Sequence, residues 1–210
     1  MHRLTIAIVV AGVALGGTSC SVGTGSGEVH SDELKAPGCF YGAYDLGPTF
    51  FASNPFRNSQ EIRVQRRNDF IENSDGVEVL VRDTAKIRAS LGQSLRVGLT
   101  PDVVPPGVPI TPDPDPPIVS IVLYLHETCH GQNIALYATQ GSITFEHLFD
   151  GDPNESDAES KLTHATFDVY VGDPRDEPPA GGPIPAAKLS HVVGEFRFYF
   201  QRGQPAQPFP

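Results

Sequence analysis

The sequence predicts an all-β protein: an antiparallel β-sandwich, with a β-barrel as the second choice. Three observations favour this class. Short β-prone runs follow one another along the chain, 21 Gly and 20 Pro residues punctuate it, and no helical period appears after the N-terminal segment. About eight or nine strands over some 170 residues are typical of a sandwich, so residues 37–210 are predicted to form a single domain.

The first predicted strands lie between residues 61 and 99. Residues 61–67 (EIRVQRR) alternate apolar and polar side chains, as a half-buried strand does. Residues 77–81 (VEVLV) repeat this period. Residues 87–91 and 95–99 flank the segment 92–94 (GQS), which predicts a hairpin.

The middle of the chain contains a proline-rich loop followed by the most apolar run. Residues 101–117 include eight prolines, which cannot donate the hydrogen bonds of a central strand. Residues 118–125 (IVSIVLYL) are apolar on both strand faces, which predicts a central strand. Residues 134–139 and 142–149 are predicted to be two further strands, separated by the turn signal at 140–141 (QG).

The last two predicted strands, 165–171 and 189–200, have clear inner and outer faces. Their inner faces are apolar apart from one glycine, and their outer faces are largely polar. The inward positions are Phe167, Val169 and Val171 in the first strand, and Gly194, Phe196, Phe198 and Phe200 in the second.

The N-terminus has the organisation of an export signal. Residues 1–3 include a basic residue, and residues 4–15 (LTIAIVVAGVAL) form an apolar run. This run is too short for a transmembrane helix, which needs about 20 residues. Small residues follow at 16–19 (GGTS) and lead directly into Cys20.

This segment resembles the signal peptide of bacterial lipoproteins, although Gly17 stands where that family usually has leucine. The resemblance implies removal of residues 1–19 and acylation of Cys20. Residues 20–36, rich in Gly and Ser at their start, are then expected to form a flexible tether. The alternative is an ordinary secretory signal in which Cys20 is incidental.

Two cysteines remain once Cys20 is assigned to the lipid. Cys39 and Cys129 form an even pair in an exported chain, which predicts a disulfide bond. The alternative is two buried free thiols.

The C-terminal half resembles a group of uncharacterised β-rich bacterial envelope lipoproteins. The similar segments are a Gly-x-Ile-x-Phe strand at 141–145, an Asp-x-x-x-x-Asp-Pro segment at 168–174, a Gly-x-Phe-x-Phe strand at 194–198 and the tail 202–210. This resemblance brings no established activity with it.

Residues 126–130 spell HETCH, the H-E-x-x-H motif of zinc hydrolases. That chemistry requires a helix, on which His126 and His130 lie one turn apart and bind one zinc ion while Glu127 polarises its water. The preceding strand-like run and the pairing of Cys129 argue against a helix, and four residues of strand extend about 13 Å. A zinc-dependent hydrolase is therefore kept as an alternative only, and no catalytic residue is assigned.

Residues 150–159 form an acidic segment. Asp150, Asp152 and Asn154 place oxygen ligands at alternate positions, as calcium prefers. The EF-hand pattern fails, because Lys161 stands where its last glutamate belongs. A calcium-dependent adhesion module is the second alternative, beside a solvated acidic loop without a metal.

The net charge of the chain argues against one class of binding partner. Fifteen Lys and Arg residues against 25 Asp and Glu residues give a formal net charge of −10, which argues against nucleic-acid binding. Residues 150–177 carry most of this negative charge.

We therefore expect a lipid-anchored lipoprotein of the cell envelope, acting as a binding or structural module and not as an enzyme. No cofactor and no metal site are expected. The expected partners are the membrane, through the N-terminal lipid, and an envelope protein or glycan. The outer membrane or the cell surface is favoured over the inner membrane.

Overall fold

The computed structural model describes residues 21–67, 70–149, 161–178 and 181–200. Within these ranges the chain is dominated by β-strands. The strands are β1 (Ser21–Ala36), β2 (Phe40–Leu46), β3 (Phe50–Phe56), β4 (Ser59–Gln65), β5 (Asp75–Val81), β6 (Ser94–Arg96), β7 (Val119–Leu125), β8 (Ala135–His147), β9 (Leu162–Gly172) and β10 (Ser190–Phe200). The helix α1 spans Thr84–Ala89, and short 3₁₀ helices span Ile71–Asn73, Pro174–Asp176 and Ala186–Lys188.

The strands form one curled sheet in the order β10-β9-β8-β7-β5-β4-β3-β1-β2, with β6 paired to β8. All pairings between these strands are antiparallel. β10, at one end of this order, also pairs with β1, which stands next to last in it, so the sheet curls back on itself. The predicted all-β, antiparallel class is confirmed.

The expected tether is wrong where the structure describes it, because residues 21–36 form β1. Glycines on alternate positions of this strand allow its backbone to approach β10 very closely. A Cβ atom at Gly27 would lie only 2.7 Å from the carbonyl oxygen of Glu195. Gly27 lies opposite Phe196 and Gly25 opposite Phe198, and both phenylalanines are fully buried. The aromatic rings of β10 thus fill the space left beside a strand that has few side chains of its own.

Residues 87–91 are not a strand, because α1 occupies most of this segment. The Asp83 side chain accepts a hydrogen bond from the Lys86 backbone N–H at 3.0 Å, which caps the helix. Ile87 is 0% exposed and joins the core at the end of the sheet where β5 finishes.

Residues 134–149 contain one long strand, β8, in place of the two predicted strands. The turn signal at 140–141 marks a β-bulge, since the pairing with β9 shifts its register between Ala138 and Gln140. Gly141 has a φ of 120°, which favours glycine.

The faces predicted for residues 77–81, 165–171 and 189–200 agree with the core, whereas the alternation predicted for residues 61–67 is wrong, because Arg63 and Gln65 on its polar face are also buried. Val77, Val79 and Val81 are buried, and so are Phe167, Val169, Val171, Phe196 and Phe198. Every residue of β7 is buried, as expected for a central strand. Residues 101–117 contain no strand. No described helix has the length and apolar character needed to cross a membrane.

Candidate functional site

The predicted cysteine pair lies at one end of the sheet. Cys39 follows β1 and Cys129 follows β7, at disulfide-bonding distance and with 5.6 Å between their Cα atoms. Ser21 begins β1 at the other end of the same strand.

The HETCH segment is a turn, held by the side chain of Asp75. Asp75 is 0% exposed, and its Oδ1 atom accepts hydrogen bonds from the backbone N–H groups of Glu127 and Thr128, both at 3.0 Å. The Thr128 and Tyr44 hydroxyls donate to Oδ2, Tyr44 at 3.1 Å. We call this arrangement the Asp75 turn. It fixes Cys129 within reach of Cys39.

The side chains proposed as zinc ligands point to different partners. His126 Nδ1 donates to the carbonyl oxygen of Ile71 at 2.7 Å, while His130 is exposed. Glu127 pairs with Arg67 at 2.6 Å. Among the described residues, no three His, Cys, Asp or Glu side chains are placed to hold a metal ion.

Cys20 and the proposed calcium ligands Asp150, Asp152 and Asn154 lie outside the described residues.

A mostly apolar cleft of about 700 Å³ opens beside the disulfide, and we call it the disulfide cleft. Two lysines and two aspartates are among its lining residues, and Tyr41, which also lines it, is 71% exposed. It is lined by residues 35–41, Leu136, Asp173, Asp176, Ala187 and Lys188.

A second cleft of about 600 Å³ adjoins the first one, and we call it the Glu78 cleft. The two clefts share Pro37, Leu136 and Asp173. The wall of the second cleft combines carboxylates, aromatic rings and aliphatic side chains. It includes Glu78, Leu80, Asp102, Val103, Val122, Tyr124, His126, Ile134, Tyr137 and Arg175.

Glu78 lies in a row of residues that crosses four neighbouring strands of the sheet. Arg63 of β4, Glu78 of β5, Val122 of β7 and Tyr137 of β8 lie opposite one another in a single row across the outer face of the sheet. This row extends the cleft across the sheet from Glu78 to Tyr137.

One wall of the Glu78 cleft depends on a glycine. The Tyr124 hydroxyl donates to Gln65 Oε1 at 2.6 Å, across the intervening strand β5. A Cβ atom at Gly76 would overlap this hydroxyl, so only glycine permits the ring to lie there.

Glu78 carries a perturbed carboxyl group. Burial raises its pKa to about 7, the nearby Glu61 adds to this rise, and Arg63 opposes it. No described side chain donates a hydrogen bond to the Glu78 carboxylate. A poorly solvated acid without a hydrogen-bond donor in a cleft is typical of functional sites.

We expect Glu78→Gln to stabilise the protein at alkaline pH. The folded-state pKa is about 7, against 4.5 for an ordinary glutamate carboxyl. The ionised form is therefore disfavoured by folding, and the free energy of unfolding falls as the pH rises between these values. At about pH 8 the variant should be more stable than the wild type by on the order of 2–3 kcal/mol, and at about pH 4 the two should be equal.

Urea unfolding at several pH values measures this effect. Glu28→Gln is the matched control, because Glu28 is an exposed glutamate of β1 outside both clefts, and it should leave the pH dependence unchanged. Equal pH profiles for wild type and Glu78→Gln would contradict the prediction.

Comparison with protein-family models, curated proteins and solved structures finds no match for this chain. Its function must therefore be argued from its own residues.

Glu78 is the residue that sequence reasoning missed. It lies in an alternating strand, on the face that such a pattern normally exposes to water. A signal was present nevertheless: the run at 118–125 is apolar on both faces, which implies that the outer face of its neighbours is covered as well. Leu80 and Val122, both lining the cleft, continue this apolar outer face beside Glu78.

Proposed function

We propose that this protein is a lipid-anchored binding module of the cell envelope, with its ligand site in the two adjoining clefts at the disulfide end. The observation that carries the proposal is the position of these clefts at the opposite end of β1 from Ser21, the residue that follows Cys20 in the sequence. In this proposal Cys20 holds the protein to the membrane and the clefts face away from it.

The length of β1 supports this arrangement. The strand has 16 residues, and a strand of that length extends about 50 Å. Ser21 immediately follows Cys20 in the sequence. The acylated residue therefore needs no long spacer, because β1 itself separates the lipid from the clefts.

The construction of the cleft region supports a binding role. The disulfide and the Asp75 turn fix the segments that follow β1 and β7, and both of these segments border the clefts. Binding residues held by a rigid frame lose little conformational entropy when a ligand binds.

The anchor is tested by intact mass spectrometry of the full chain, expressed in a bacterial host and extracted from its membranes. We expect a mass that lacks residues 1–19 and includes acyl chains on Cys20. Reduction should add about 2 Da, as expected for one disulfide bond.

Cys20→Ser is the matched control and should give no acylated product. An unacylated wild-type mass would overturn the lipid anchor. An acylated mass that reduction leaves unchanged would overturn the disulfide alone.

A further inference from the structure

We propose that the Glu78 cleft binds an organic cation, whose ammonium group pairs with the Glu78 carboxylate and whose apolar part packs against the tyrosines. This inference rests on the binding role proposed above, and it does not depend on the lipid anchor.

The Glu78 carboxylate lies in the cleft, half-buried, and no described side chain donates a hydrogen bond to it. Arg63, opposite Glu78 on β4, lowers the pKa of this carboxyl, but burial outweighs its effect and the pKa stays raised. The ionised carboxylate is therefore compensated only in part. An ammonium group would add positive charge and hydrogen-bond donors.

Aromatic side chains form part of the cleft wall. Tyr124, His126 and Tyr137 line the same cleft as Glu78. Burial raises the pKa of both tyrosines, so their rings stay neutral at physiological pH. Aromatic faces attract organic cations, and the attraction strengthens where water is excluded.

The carboxylates of Asp102 and Asp173, which also line the cleft, already have partners. Asp102 accepts two hydrogen bonds from Arg82, both at 3.0 Å. Asp173 accepts from Arg175 through both oxygens at 2.9 Å, and this contact lowers the pKa of Asp173.

These two ion pairs, Arg82–Asp102 and Arg175–Asp173, indicate that a ligand of the cleft is positively charged. Arg175 is the only Lys or Arg among the described lining residues, and Asp173 occupies its guanidinium group. An anionic ligand would therefore have to displace Asp173, whereas a cation would meet the Glu78 carboxylate, which Arg63 compensates only in part.

Aliphatic side chains also line the cleft. Leu80, Val122 and Ile134 line the cleft between and beside the polar groups. This surface suits a ligand with an apolar body better than a fully hydrated inorganic cation.

The test uses the full chain and isothermal titration calorimetry at about pH 8, where Glu78 is mostly ionised. The probe is 2-phenylethylammonium, with the neutral 2-phenylethanol as its matched partner. We expect the ammonium compound to bind at least about 10-fold more tightly, a difference of about 1.4 kcal/mol.

Three variants locate the site. Glu78→Gln should weaken binding of the ammonium compound at least about 10-fold, and it is expected to be more stable than the wild type, so unfolding would not explain the loss. Tyr137→Leu should weaken the ammonium compound more than the alcohol. Glu28→Gln, outside the cleft, should bind like the wild type.

The proposal is overturned if the alcohol binds as tightly as the ammonium compound, or if Glu78→Gln keeps wild-type affinity. It is also overturned if the wild type shows no saturable binding of the probe at millimolar concentrations. Each of these results leaves the lipid anchor untouched, since mass spectrometry tests that separately.

Discussion

Replacing Cys39 and Cys129 together by alanine is expected to lower the free energy of unfolding by about 4–5 kcal/mol. The reason is the length of the loop that the bond closes: the two residues are 90 positions apart. Without the bond, the unfolded chain gains the conformational entropy that this long loop had lost. Urea unfolding of the wild type and the double variant measures the difference.

Chemical reduction of the wild type provides the control for this result. It breaks the bond without removing a side-chain heavy atom, and it should produce a similar loss. Alanine is preferred to serine because Cys129 is buried, and a serine hydroxyl there would need a hydrogen-bond partner. A loss below about 1 kcal/mol in both experiments would show that the bond does not restrain the unfolded chain.

Asp75→Ala is expected to destabilise the protein by about 3–5 kcal/mol. Asp75 is fully buried and accepts hydrogen bonds from two backbone N–H groups and two hydroxyls, and Arg66 lies 3.9 Å away. Alanine would leave these donors without their acceptor. The same urea measurement applies, and amide hydrogen exchange at Glu127 and Thr128 should accelerate, because their N–H groups lose their protection.

Tyr44→Phe provides a graded control for this prediction. It removes one of the hydrogen bonds to Asp75, that of the Tyr44 hydroxyl, and should cost about 1 kcal/mol. If Asp75→Ala cost no more than Tyr44→Phe, the Asp75 turn would not be the structure that holds residues 126–130.

The strand faces were the part of the fold that could be predicted from the sequence. Residues 77–81 and 165–171 repeat with a period of two, and burial follows that period in the structure. Hydrophobic burial acts at every second residue of a half-covered strand, so the local pattern carries this information.

The first strand, β1, could not be predicted from its local sequence. Residues 21–31 are rich in Gly and Ser, and locally this composition indicates a flexible segment. The strand forms because Phe196 and Phe198, some 170 residues later, fill the space beside its glycines. The pattern of neighbouring residues contains no information about a partner strand so distant in the sequence. The pairing of β1 with β10 was not predicted for the same reason.

The candidate site was equally hidden from motif reasoning. Residues 126–130 (HETCH) match the H-E-x-x-H motif of zinc hydrolases, yet in the structure they form a turn around the Asp75 side chain. Glu78 belongs to no motif. Its environment arises from Val122 and Tyr137 on neighbouring strands, which strand register brings beside it.

The pairing of β1 with β10 also has a consequence for the order of folding. The first strand of the domain cannot find its partner until the last strand, Ser190–Phe200, has been synthesised. Contacts between residues so distant in the sequence form slowly. A chain leaving the ribosome would therefore keep its sheet open until β10 has been synthesised. If the chain is exported, as the proposed lipid anchor requires, this delay would leave it open for passage across a membrane.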